Sequence, residues 1–162
     1  MARFRDQRKG PYDGDVLGMA KHIALQMQTA MTNPDSDWPM TLFYLDAQGK
    51  GHVTTIRVAS VGLRDMSIQT ILNQAGATEA VLMSNAWGYR LAPGAEIVPA
   101  AEAPGRREVL HLAHVGEDFV AFHQAEVRRT DDAPPTLGEF STEEQEFADG
   151  RLTDALRRGI SG

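Results

Sequence analysis

The sequence predicts a single α+β domain over residues 13–131. Its frame is a mainly antiparallel five-stranded sheet flanked by two helices, in the order α-β-β-α-β-β-β, with a C-terminal helix beyond it. Three observations carry this. Residues 78–91 alternate over a long run: Val81, Met83, Asn85, Trp87 and Tyr89 share one face, and Leu82, Ser84, Ala86, Gly88 and Arg90 the other. A run apolar on both faces near its start reads as a central strand. Hairpin signals lie on both sides of it, and helical periodicity precedes each strand group.

In chain order, residues 1–12 read as a flexible basic arm: Arg3, Arg5, Arg8 and Lys9 surround Asp6, and Gly10-Pro11 ends the segment. Asp13 or Asp15 caps a helix from about Asp15 to Met31, with Val16, Ala20, Ile23, Ala24, Met27 and Met31 as its apolar stripe. Asn33-Pro34-Asp35-Ser36-Asp37 stops it.

Thr41–Asp46 and His52–Val58 form an antiparallel hairpin through the Asp- and Gly-bearing turn between them. A second helix is expected from about Asp65 to Ala75, capped by Asp65 or Ser67 and closed by Gly76 in a left-handed conformation. After the central strand, residues 92–105 hold three Pro and two Gly without periodicity, a length that marks a functional or mobile connection. Arg107–Val115 and Asp118–Arg128 form a second hairpin about Gly116-Glu117. Residues 132–141 read as a linker. Ser141-Thr142-Glu143-Glu144 has the capping-box pattern, so residues 142–162 are expected to form a helix and tail that dock on a partner or a second copy. Docking on the chain's own sheet is the alternative.

Composition narrows the function. The chain has 162 residues, 42% of them hydrophobic, and a net charge of -6. That suits one acidic domain and argues against a general nucleic-acid binder. No apolar run approaches the roughly 18–20 residues that span a membrane. Met1–Asp6 is charged and lacks a signal-peptide core, so a cytoplasmic location is expected. No cysteine is present, which removes disulfides, thiol catalysis and cysteine-bound metals. The basic residues are mostly Arg, which suggests a GC-rich genome; the source is expected to be a bacterium or bacterial virus.

Histidines are the obvious candidate ligands. On a strand, His111 and His114 fall on opposite faces and cannot share an ion. With a two-residue turn at Gly116-Glu117, His123 lies opposite Leu110, not His111. A turn one residue longer would join His111 and His123, which is still short of the three protein ligands of a catalytic zinc. No metal and no cofactor are expected. No serine occupies a nucleophile elbow, and Gly49-Lys50-Gly51 lacks a phosphate-loop spacing. Glu108 and Glu126 could neighbour one another in the second hairpin. No catalytic residue is assigned.

The candidate partner- or ligand-binding group is Asn85, Trp87, Tyr89, Arg90 and Arg106, at the two ends of the 92–105 connection, and Arg107 could join its rim. Trp, Tyr and Arg bury area while keeping a polar handle, which suits a binding surface. Trp87 and Tyr89 could equally extend the core face of Val81 and Met83.

Residues 42–88 resemble the JAB/MPN metalloprotease-like fold, in its bacterial RadC-like branch. Leu45-Asp46 and Gly49 match the end of a strand and its turn, 68–77 the helix, and 81–88 the strand that runs into the metal motif. Asn85 matches within that motif. The metal-binding histidines would fall at Ser84 and Ala86, so the resemblance implies a zinc-less relative and a scaffold.

The sequence therefore reads as a non-catalytic interaction or assembly module, with a protein partner or self-association through the C-terminal helix. The alternative is a hydrolase or small-ligand enzyme whose site is built from the 92–105 loop, His111 and His123.

Overall fold

The computed structural model describes residues 12–58, 60–88, 107–143 and 151–161. The basic arm, apart from Tyr12, and the 92–105 connection lie outside them. Among the described residues three helices cover an antiparallel sheet of seven strands. None of those helices is long and apolar enough to cross a membrane.

Helix α1 (Val16–Ala30) begins where Asp15 accepts a hydrogen bond from the Gly18 amide at 2.9 Å. It buries Val16, Met19, Ala20 and Ala24. Trp38 then folds back under it and donates its indole N–H to the Ala24 carbonyl at 2.9 Å. That bond satisfies the one polar atom of a ring only 3% exposed.

Strands β1 (Thr41–Leu45) and β2 (Gly51–Thr55) form the expected hairpin. Asp46 builds its turn, accepting from the amides of Gln48 at 2.8 Å and Lys50 at 3.0 Å, while Gly49 takes φ 78. Helix α2 (Val61–Ala75) starts a turn earlier than expected, capped by Ser60 rather than Asp65 or Ser67. Its first turn holds Val61 and Leu63, both exposed, so no apolar stripe announced it. Gly76 closes the helix with φ 61, in the expected left-handed conformation.

Strand β3 (Glu79–Gly88) is central, flanked antiparallel by β1 and by β4 (Arg107–Gly116). The sheet order is β2-β1-β3-β4, continued by β5 (Val120–Arg128) and β6 (Thr136–Leu137). The alternation along β3 places Val81 and Met83 with Phe43, Leu110 and Leu112 under α1. Ala80 and Leu82 fall on the other face, with Leu42, Ala113, Val115 and Phe122, under α2 and the C-terminal helix. Each large apolar side chain so buried contributes about 1.5–3 kcal/mol.

The second hairpin joins β4 to β5 (Val120–Arg128) with Val115 opposite Val120 and Gly116 N–H donating to the Phe119 carbonyl. The turn residues are therefore Glu117-Asp118, not Gly116-Glu117. The Phe119 ring packs on Gly116, where a Cβ would lie 2.2 Å from it. The register moves by an even number, so every side chain keeps its expected face.

The region expected to be linker and helix start is different. β6 (Thr136–Leu137) and β7 (Ser141–Glu143) both pair with the outer edge of β5. The first three residues of the capping-box pattern thus lie in a strand. The edge of β5 offers main-chain partners, and Leu137 and Phe140 pack into the α1 core. The last helix, α3, runs Arg151–Ser161. Its Ala155 and Leu156 are buried against α2 and the sheet, and Gly159 lets Leu72 approach so closely that a Cβ there would lie 2.7 Å away. The described part of the apolar stripe, Ala155 and Leu156, is thus covered from within the chain, as in the alternative of docking on its own sheet; Phe147, Ala148 and the Leu152 side chain lie outside the described residues.

Candidate functional site

Of the candidate group, Asn85 is described in full. Tyr89, Arg90 and Arg106 lie outside the described residues, as does the side chain of Trp87. Asn85 stands at the far end of β3 on the α1 face, opposite Leu110. Two further residues converge on it along neighbouring strands. Glu108 on β4 and Arg129 just after β5 share its face by the two-residue period. A fourth, Asp37, comes from the segment that Trp38 pins to α1.

Arg129 is the hub. Its Nε donates to Glu108 Oε1 at 2.7 Å and its Nη2 to Glu108 Oε2 at 2.9 Å, a two-pronged pair. Nη2 also donates to Asp37 Oδ1 at 2.7 Å. Nη1 donates to the carbonyls of Pro34 at 3.1 Å and Ser36 at 3.0 Å. All five guanidinium N–H groups are thereby used. The hydrogen bonds to Glu108, and then its charge and that of Asp37, push the guanidinium pKa above its ordinary value against a desolvation cost.

Asn85 adds a second tie between strand and loop. Its Nδ2 donates to Glu108 Oε2 at 2.9 Å and to Asp37 Oδ1. Its Oδ1 is buried and has no hydrogen-bond partner, which in a well-satisfied interior is uncommon. The loop itself is braced locally, with Asn33 Oδ1 accepting from the Asp35 amide at 3.1 Å. Beside this cluster is a cleft of about 390 Å³, lined by Asp35, Asp37, Asn85, Ala86, Glu108 and Arg129. Three carboxylates face one guanidinium that has no donor left. The cleft is acidic and rich in acceptors.

The histidines are dispersed. His111 stacks on Phe122 on the α2/α3 face, with ring centres 5.3 Å apart. His114 lies on the α1 face and pairs with Glu79 at 2.8 Å. His123 sits opposite Leu112, on the face away from His111. His111 and His123 therefore cannot converge on one ligand. Glu108 and Glu126 also lie on opposite faces. Arg107 pairs with Glu126 at 3.5 Å, and Tyr89, Arg90 and Arg106, whose rim it was expected to join, lie outside the described residues. Among the described residues no group of three or more His, Asp or Glu is placed to hold a metal ion.

The sequence reading missed Asp37, Glu108 and Arg129 as a set. With the turn placed at Gly116-Glu117, Glu108 falls opposite Ala125, which leaves Arg129 beyond the ladder. One signal was readable: a lone Trp after a polar loop needs an anchor for its N–H, which implies that 33–37 is held in place.

No protein-family model, no curated protein and no solved structure matches the chain.

Proposed function

We propose that the protein is a non-catalytic interaction module whose acidic cleft at the Asn85 end of β3 receives a basic side chain of a partner protein. The observation that carries this is the exhausted guanidinium of Arg129. With every donor of Arg129 spent inside the cluster, the described lining of the cleft has carboxylate lone pairs to offer and no free cation for an anion. A lysine ammonium or arginine guanidinium is the complement of such a site. Among the described residues no hydroxyl and no imidazole lines the cleft, so these residues do not supply the usual nucleophile-and-base pair. The resemblance of residues 42–88 to a zinc-less JAB/MPN relative supports the same scaffold role. The absence of cysteine fits work in the cytoplasm, and the Arg-rich composition a bacterial source.

The test is a titration with N-acetyl-arginine amide and N-acetyl-lysine amide, followed through backbone amide NMR shifts. Shifts confined to residues 35–37, 85–86 and 108, saturating near about 1 mM and weakening with salt, are expected. Shifts no larger than those from N-acetyl-glutamine amide would overturn the proposal.

A further inference from the structure

His123 is a buried polar side chain on the α1 face with one ring nitrogen unpartnered. It is 7% exposed, and its Nε2 is buried without a hydrogen-bond partner. Its Nδ1 meets the Thr142 hydroxyl at 3.1 Å, across the pairing of β5 with β7. The groups around it are cationic or already engaged. Lys21 comes from α1 and also lies 5.9 Å from the Phe140 ring, one residue before β7. From β4, His114 has its ring 6.3 Å away. The carboxylate in this neighbourhood, Glu79 on β3, is hydrogen-bonded to His114. His111, on the opposite face of β4, acts only through its charge. From β7, Thr142 contributes a hydroxyl.

We infer that His123 is a proton-operated latch for the β7 strap: neutral, it holds the strap on β5; protonated, it lets go. The bond rearrangement is small. In the neutral ring Nδ1 is hydrogen-bonded with the Thr142 hydroxyl, which can accept from or donate to it, and Nε2 has no partner. A proton taken from solvent onto the unprotonated ring nitrogen makes the ring a cation with two donors. Thr142 can accept from one of them, and among the described residues nothing accepts from the other. The charge is then buried beside Lys21 and His114, with no carboxylate of its own among the described residues. A buried unpaired charge is strongly disfavoured, so the ring moves out to water. The element that yields is the one least held. β7 is three residues long and pairs on one side only, whereas β4 on the other side of His123 is ten residues long and paired on both sides. Release uncovers the main-chain groups of Phe122–Gln124 along the outer edge of β5. Burial, reinforced by the charges of Lys21, His114 and His111, holds the His123 pKa below its ordinary value, in keeping with a ring kept neutral.

Hydrogen exchange of the amides of 122–124 and 141–143 tests this between pH 7 and 5, corrected for the intrinsic pH dependence of exchange. Opening is expected to rise about tenfold per pH unit below the ordinary histidine value, while the β1–β3 ladder stays protected. His123→Gln should flatten that rise. The same rise in the variant, or none in the unaltered protein, would overturn the latch. Should the variant not fold, the unaltered protein decides by imidazole NMR. A His123 titration midpoint at or above that of an exposed histidine defeats the proposal, and a midpoint that climbs in Lys21→Met supports it.

Discussion

Arg129 and Glu108 meet in parallel, Nε on Oε1 at 2.7 Å and Nη2 on Oε2 at 2.9 Å, from neighbouring strands on one face of the sheet. Through the same guanidinium the sheet also grips the loop after α1. Arg129→Lys keeps the charge and loses the fork, because an ammonium cannot reach two carboxylates and two carbonyls at once. A loss of about 1–3 kcal/mol in urea unfolding is expected, together with faster amide exchange over 33–37. A change within 0.3 kcal/mol, typical of an exposed position, would show the hub to be decorative.

Trp38→Phe removes the indole N–H and leaves most of the ring. The Ala24 carbonyl keeps its helical partner, so the expected cost is modest, about 0.5–1.5 kcal/mol. The more telling result is specificity of effect. Asn85 and Glu108 amide shifts should move with it, because the loop that carries Asp37 is anchored there.

Asp46 gives a pH dependence with a definite sign. Its carboxyl pKa is held below the ordinary 3.8, first by the hydrogen bond with His52 and next by the Lys50 amide. A carboxyl depressed in the folded state stabilises above its unfolded pKa and loses that contribution as pH falls through the folded value. The unaltered protein should therefore exceed Asp46→Asn in melting temperature at neutral pH. The gap should close only below about pH 4. A gap that persists unchanged at pH 2.5 in the still-folded proteins would assign the effect to turn geometry alone.

Helix α3 should behave as part of the core. Leu156 is fully buried against α2 and the sheet, so Leu156→Ala is expected to cost about 2–5 kcal/mol. Gly159→Ala should cost about 1–3 kcal/mol by forcing the helix away from Leu72. Sedimentation measured alongside separates this from the intermolecular alternative. A concentration-dependent melting temperature, abolished by Leu156→Ala, would place the helix on a second molecule.

Local physics was legible without coordinates. The two-residue period along 79–88 assigned Val81 and Met83 to one core and Leu82 to the other, because neighbouring residues on a strand must point apart. The Asp15 cap, the Gly76 stop and the separation of His111 from His114 follow from the same short-range geometry. What depended on distant partners was not legible. Ser141-Thr142-Glu143 has a helix-starting pattern, yet the open edge of β5 and the seats for Leu137 and Phe140 draw it into a sheet. Asn85 stood out in the sequence, but Asp37, Glu108 and Arg129 come from 48, 23 and 44 residues away. Only sheet register and the Trp38 anchor bring them together. A strand decides the direction of its side chains by itself, and which groups they meet is decided by the neighbours the fold puts beside it.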